Sequence, residues 1–372
     1  MIEPLSAALL PPGVRARHVH NVNGLSMHVL EAGYEDSGRP MLLLLHGFPE
    51  LAYSWRHVMP ALAAAGYHVV APDQRGFGRT TGWPPGYDVD LDPFRMIGLA
   101  TDALALVDAL GRREVAAVVG HDFGSPVAAW CAIARPDVFR AAVLMSAPFP
   151  GTPRLAATAV PDEIHRQLAA LPRPRKHYVG YYATRDADAD MHAAPQGLSA
   201  FLRAYYHAKS GDWAGNVPFP LAAWTAAELA RMPTYYIMDA AAGMAATVAP
   251  MMPSPVEIAA CQWLTDAELA VYTGEYVRTG FQGGLNWYRA TIDGRNLGER
   301  LFAGRRIDVP CIFIAGARDW GIHQRPAALA AMEGRACSNY RGTVLVEGAG
   351  HWVQQERPDD VVRAILGFMA AV

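Results

Sequence analysis

The sequence predicts an α/β fold, a mostly parallel central sheet with helices on both faces, interrupted by an inserted helical unit. Three observations predict it. Short, continuously apolar runs alternate with helical segments in the first part of the chain, as buried parallel strands and their crossover helices do. From 148 to 305 the strand runs disappear and the apolar spacing becomes helical. After 305 the alternation returns, so one α/β unit is expected from residues 1–147 and 306–372, with 148–305 as a helical cap.

The elements follow in order. Residues 15–22 and 25–31 alternate and meet at Asn23-Gly24, a hairpin signal. Met41–Leu45 is apolar throughout. Residues 51–65 read as a helix stopped by Gly66, 67–71 as a strand, and the next helix ends near Gly111. Strands are expected over 115–119 and 140–146, with a helix after Gly124 between them. In the insertion, prolines at 148, 150, 153, 172, 174, 218 and 220 punctuate helical spacing such as Ala226, Leu229, Ala230 and Ala260, Leu264, Ala267, Val271. The last part reads as strand (310–315), helix (325–332), strand (343–346) and closing helix (360–368).

At 372 residues, 52% hydrophobic and 18% charged, the chain is long and apolar enough for a large domain plus a second unit. A net charge of -3 without a basic block argues against a nucleic-acid partner. Cys131, Cys261, Cys311 and Cys337 are scattered, which fits neither a disulfide framework nor a metal site. The N-terminus has Glu3 early and no basic stretch, a poor secretion signal. No run approaches the roughly 18 apolar residues of a membrane span. A soluble, cytoplasmic protein is expected, and a homodimer is left open.

The strongest chemical signal is Gly120-His121-Asp122-Phe123-Gly124, between a strand and a helix. Small residues flanking a central nucleophile at such a turn form a nucleophile elbow, which lifts the central side chain above the sheet. Taken alone, Asp122 reads equally well as a helix cap. Its partners decide. Asp319 follows the strand 310–315, and His351 sits in Gly348-Ala349-Gly350-His351-Trp352 after the next strand. Nucleophile, acid and base stand in hydrolase-triad order, each beyond a strand's C-terminal end. His46-Gly47-Phe48-Pro49-Glu50 follows another strand. There the backbone N–H groups of Phe48 and Phe123 are placed to form an oxyanion hole. Proline at 49 admits a cis Phe48-Pro49 bond.

These stretches, with Asp73-Gln74-Arg75-Gly76-Phe77-Gly78, resemble the epoxide hydrolase branch of the α/β-hydrolase superfamily. Gly280-Phe281-Gln282-Gly283-Gly284-Leu285-Asn286-Trp287-Tyr288-Arg289 resembles the family's cap segment and implies a catalytic Tyr288. Lys176-His177-Tyr178 resembles the earlier cap segment and implies Tyr178, with Tyr205, Tyr206, Tyr235 and Tyr236 as rivals. The resemblance covers nearly the whole chain and is weakest from about 190 to 260.

The residue types suit epoxide opening. A carboxylate displaces the ring oxygen and forms an alkyl ester. Tyrosine, with an ordinary pKa near ~10, stays protonated and can donate to the leaving alkoxide. His351, oriented by Asp319, activates water to hydrolyse the ester. Phe48, Pro49, Phe123, Trp287 and Trp352 are the expected pocket residues. No cofactor or metal is called for; the expected partners are water and a small, apolar epoxide.

Two rivals bracket this reading. A dehalogenase shares the Asp nucleophile, but Phe48 and Phe123 carry no side-chain N–H for a halide. A non-catalytic ligand-binding member of the fold would be expected to have lost part of this set. Ordinary ester hydrolysis is disfavoured, since Asp122 would give an anhydride.

Overall fold

The computed structural model describes residues 2–155, 163–295 and 297–372. Its main sheet is built from β1 (Val14–Val22), β2 (Leu25–Ala32), β3 (Met41–Leu45), β4 (His68–Pro72), β5 (Ala117–His121) and β6 (Ala142–Met145). Two further strands, β9 (Cys311–Gly316) and β10 (Tyr340–Val346), complete it, after a separate pair, β7 (Arg175–His177) and β8 (Ile237–Asp239), in the insertion. The order is β1-β2-β4-β3-β5-β6-β9-β10. Only β2 runs against the rest: it pairs antiparallel with both β1 and β4, and the other pairs are parallel.

Side-chain alternation along the strands divides the core into two layers. Leu43, Leu45, Val118, Leu144 and Phe313 face one layer, with Leu99 and Leu106 of helix Met96–Ala109 and Val127 of helix Gly124–Ala134. Leu42, Leu44, Val119, Val143 and Ile314 face the other, with Met59 and Leu62 of helix Met59–Ala64 and Ile365 and Phe368 of helix Pro358–Met369. Both faces of the central strands are therefore dry, which is why those strands read as unbroken apolar runs. Burial of one such side chain contributes about 1.5–3 kcal/mol.

The sheet connection from β6 to β9 carries the insertion. Its longer helices are Leu198–Lys209, Asp266–Thr279 and Gln282–Ile292. Thr265 and Glu268 form a reciprocal capping box that starts the second of these. Helix Gln282–Ile292 lies directly on the core. A Cβ on Gly283 would come within 2.0 Å of the Gly76 carbonyl, so only glycine permits that approach.

Some expectations need correction. The insertion does contain strands: β7 and β8 pair antiparallel. Three residues each are too few to show alternation in the sequence. The stretch 51–65 is not one helix but a 3-10 turn, Ala52–Trp55, followed by Met59–Ala64. Pro60 lacks an N–H and belongs in a first turn, so the helix restarts there. The helix expected over 325–332 shrinks to Ala328–Ala331 and continues as the wider turn Met332–Ala336. Proline at 326 disfavours helical backbone at the residue before it, and Ala327 is left-handed at φ 62°.

Candidate active site

Asp122 projects from the turn between β5 and the helix Gly124–Ala134, with φ at +51°. A left-handed aspartate is strained, and the surrounding structure must hold it. A Cβ on Gly120 would lie 2.0 Å from the Gly124 carbonyl, and one on Gly124 would lie 2.3 Å from the Leu45 carbonyl. The two glycines flanking the turn are thus a steric requirement of the elbow.

The structure brings the three predicted triad residues together. His351 Nδ1 lies 3.1 and 3.2 Å from the two carboxylate oxygens of Asp319. His351 Nε2 lies 3.2 Å from Asp122 Oδ2. That nitrogen is buried and makes no aligned hydrogen bond among the described residues. Asp319 Oδ1 also accepts the Gly321 N–H at 2.6 Å. On the other side, the Phe48 N–H donates to Asp122 Oδ1 at 2.9 Å. Phe123 stands at the start of the helix, where N–H groups lack intrahelical acceptors. The Phe48-Pro49 bond is cis.

Charge follows from these contacts. Burial opposes ionisation of Asp122, but His351, Lys209 and His121 overcome it and hold the carboxyl well below its usual range. Asp319 is lowered against its own burial mainly by His351. Burial likewise works against the His351 cation, yet Asp319 and the neighbouring Asp122 raise its pKa to about 9. At rest the centre is an imidazolium between two carboxylates.

Above Asp122 opens a cavity of about 550 Å³, lined by Phe123, Tyr178 and Tyr288 and also by Trp224, Glu299 and Arg325. The Tyr178 and Tyr288 rings are 6.0 Å apart. Burial pushes both phenols upward, and the Asp122 charge adds to it. Both therefore stay protonated across the ordinary pH range. Tyr178 donates its O–H to Gln324 Oε1 at 3.0 Å. Two of the rival tyrosines are committed elsewhere: Tyr206 donates to the Pro49 carbonyl, and Tyr235 to Asn216 Oδ1. Tyr205 accepts from Tyr182, and Tyr236 packs its ring on Tyr178.

Four of the five expected pocket residues lie behind the cavity rather than on it. Only Phe123 is among the residues lining it. Trp287 is wholly buried and donates its indole N–H to the Arg75 carbonyl at 2.9 Å. Trp352 is equally buried and donates to the Tyr206 carbonyl at 2.8 Å. Phe48 is buried with its ring edge-on to Tyr182 and Tyr288, and Pro49 offers its carbonyl to Tyr206. A buried indole N–H needs an acceptor, and here each finds one in the backbone, which turns the ring inward.

Four neighbours of this site, Glu50, His121, Gln324 and Lys209, were given no role in the sequence reading. Glu50 closes the loop motif at His46, and its Oε2 lies 2.5 Å from His121 Nδ1. His121 Nε2 faces the His351 carbonyl at 2.7 Å, so this pair links the elbow to the histidine loop. Both residues stood inside motifs already singled out, which was the available signal. Gln324 carried none. Lys209 ends an aromatic helix, a charge among Tyr205 and Tyr206 that was passed over. Among the described residues no cluster of three or more His, Cys, Asp or Glu could hold a metal ion, and no helix is long and apolar enough to cross a membrane.

Comparison with known proteins agrees with this architecture. A family model for the alpha/beta hydrolase fold matches residues 40–175. Epoxide hydrolase A of Mycobacterium tuberculosis is 34% identical over 97% of this chain and 99% of its own length. Epoxide hydrolase B of the same organism is 33% identical over 96% of this chain and 99% of its own. Among solved structures, an epoxide hydrolase from an endophytic Streptomyces superposes with a TM-score of 0.75 at 33% identity, covering 97% of this chain and 96% of that one. Potato (Solanum tuberosum) epoxide hydrolase I gives a TM-score of 0.72 at 30% identity, covering 96% and 100%.

Proposed function

The chain belongs to the epoxide hydrolases of the α/β-hydrolase fold, and from that premise we propose that it converts an epoxide to a vicinal diol through an alkyl ester on Asp122. The observation that carries the reading is the placement of Asp122 between His351 Nε2 at 3.2 Å and a cavity lined by two protonated tyrosines. In this reading 148–305 acts as a cap that supplies the tyrosines, and 1–147 with 306–372 supplies the triad.

An Asp122 oxygen attacks one oxirane carbon, and the bond from that carbon to the ring oxygen breaks. The electron pair stays on oxygen, which takes a proton from Tyr178 or Tyr288 as the ring opens. General acid help of this kind contributes about 10²–10⁴-fold. The ester then consumes the charge that helped hold the His351 proton, and that proton passes to the tyrosinate, which returns to the neutral phenol. Deprotonated, His351 takes a proton from water, and the oxygen of that water adds to the Asp122 carboxyl carbon. The Phe48 and Phe123 N–H groups receive the oxyanion; one such donor is worth about 2.7–4 kcal/mol. Collapse breaks the ester C–O bond, the leaving alkoxide takes the proton of the added hydroxyl and departs as the diol, and Asp122 returns as a carboxylate beside the His351 imidazolium.

The test offers the purified protein aryl, terpenoid and fatty-acyl epoxides beside chloro-, bromo- and fluoro-substrates, scoring diol and halide separately. Diol from wild type and none from Asp122→Ala is the expected result. Halide without diol, or diol undiminished in Asp122→Ala, overturns it.

A further inference from the structure

Lys209 is the last residue of helix Leu198–Lys209 and is only 4% exposed. Its ammonium lies inside a cage of rings: Tyr236 at 4.8 Å, Tyr205 at 5.1 Å, Trp352 at 5.8 Å, and Tyr178 and Tyr235 at 5.9 Å each. An ammonium carries three N–H donors. Among the described residues none of them meets a hydrogen-bond acceptor, and neither Asp122 nor Asp319 comes within ion-pair distance. Burying a charge without hydrogen bonds is expensive. Ring faces offset part of that, roughly 0.5–2 kcal/mol per favourable contact, but they satisfy no N–H.

The position is built rather than accidental. The Lys209 carbonyl accepts the His351 N–H at 2.9 Å. Glu356 ties the same two segments, accepting the N–H groups of Gly211 at 2.7 Å, Gly350 at 2.9 Å and Trp352 at 2.9 Å. The lysine is thereby held in register with the catalytic histidine. Tyr178 belongs both to the cage and to the cavity lining. The cation is one ring away from the place where Tyr178 would meet the oxirane oxygen.

We propose that Lys209 receives an anionic oxygen carried next to the oxirane, so that the preferred substrates are 2,3-epoxy carboxylates with an apolar group on the other oxirane carbon. The apolar group would occupy the cavity above Phe123, and the carboxylate would supply the acceptor that the ammonium lacks. The inference rests on the epoxide-opening reading and deepens it. It departs from the plain apolar epoxide expected from sequence.

The experiment compares trans-3-phenyloxirane-2-carboxylate with trans-2-methyl-3-phenyloxirane, its uncharged counterpart of similar shape, in the full-length protein. The quantity read is the ratio of their kcat/KM values, and its change on substitution, in which intrinsic reactivity cancels. Lys209→Met is expected to lower the ratio about tenfold or more, the worth of one hydrogen bond to a charged group. Lys209→Arg is expected to retain most of it. The loss should appear chiefly in KM for the carboxylate. Circular dichroism checks folding, and Lys209→Gln replaces Lys209→Met if the latter is misfolded. An unchanged ratio in a folded variant overturns the proposal, as does wild-type turnover of the methyl compound with none of the carboxylate. In both cases the epoxide hydrolase reading stands. No diol from any epoxide removes both.

Discussion

Tyr178 donates its hydroxyl to Gln324 Oε1 at 3.0 Å, so one cavity tyrosine is oriented by the α/β unit, whereas the Tyr288 hydroxyl has no such holder among the described residues. The two phenols are therefore not equivalent. Tyr288→Phe should slow ester formation by about 10²-fold or more, within the range for a lost general acid. Gln324→Leu should slow the same step less, by freeing the Tyr178 O–H. Rapid-quench single turnovers measure both. An unchanged rate for Tyr288→Phe would leave that ring as packing alone.

His351→Gln should separate the two chemical steps. Ester formation needs Asp122 and a tyrosine; hydrolysis needs the imidazole. An adduct of Asp122 with substrate should therefore accumulate and show in the intact mass of the protein. A variant that turns over at the wild-type rate, or one that never forms the adduct from a proven substrate, contradicts the two-step scheme.

Loss of the Asp122 charge should release the His351 proton. With Asp122 ionised, the His351 pKa is raised to about 9. Asp122→Asn mimics the neutral ester, so it should lower that pKa. NMR titration of the imidazole would detect this. In the wild type, hydrolysis of a preformed ester should accordingly rise with pH through a pKa below about 9. A titration that stays at the resting value would mean that ester formation does not switch the base on.

The same shift has a stability consequence. A histidine whose folded pKa is raised contributes stability that is fully present below its unfolded value, near 6.5, and is lost as pH rises through the folded value of about 9. The wild type should thus lose melting temperature between those limits. Asp319→Asn, with less of the upward shift, should lose less over the same window. Thermal melts at pH 6, 7.5 and 9 would show parallel slopes for the two proteins if Asp319 were not the main partner.

Much of this was legible beforehand, for identifiable reasons. Parallel strands buried on both faces write themselves as apolar runs, so Met41–Leu45 and its neighbours could be read directly. The elbow was legible because its sterics admit only small residues at Gly120 and Gly124. Asp319 and His351 could be singled out because each follows the end of a strand, and the structure brings His351 between Asp319 and Asp122. What failed were properties of side-chain direction. Trp287 and Trp352 are large, apolar and next to Tyr288 and His351, yet a backbone carbonyl behind each draws its N–H away from the cavity. Gln324 acts only through where its amide points, and sequence does not record that. Lys209 gains its surroundings from segments well separated along the chain, including Tyr178, Tyr236 and Trp352.

That reassignment of Trp287 is itself testable. The side chain is fully buried, packs edge-on against Phe77 and Phe123, and bonds to the Arg75 carbonyl across the junction of cap and core. Trp287→Ala should therefore destabilise the protein by about 3–5 kcal/mol, the usual cost of truncating a buried tryptophan. Trp287→Phe keeps most of the volume but orphans the carbonyl, and should cost less. If Trp287 were a pocket residue, the phenylalanine variant would instead change the ranking of substrates while its denaturation midpoint held. Chemical denaturation and a kcat/KM comparison across three epoxides of different size, run on the same samples, separate the two outcomes. A seal between cap and core predicts a lowered midpoint with the substrate ranking kept.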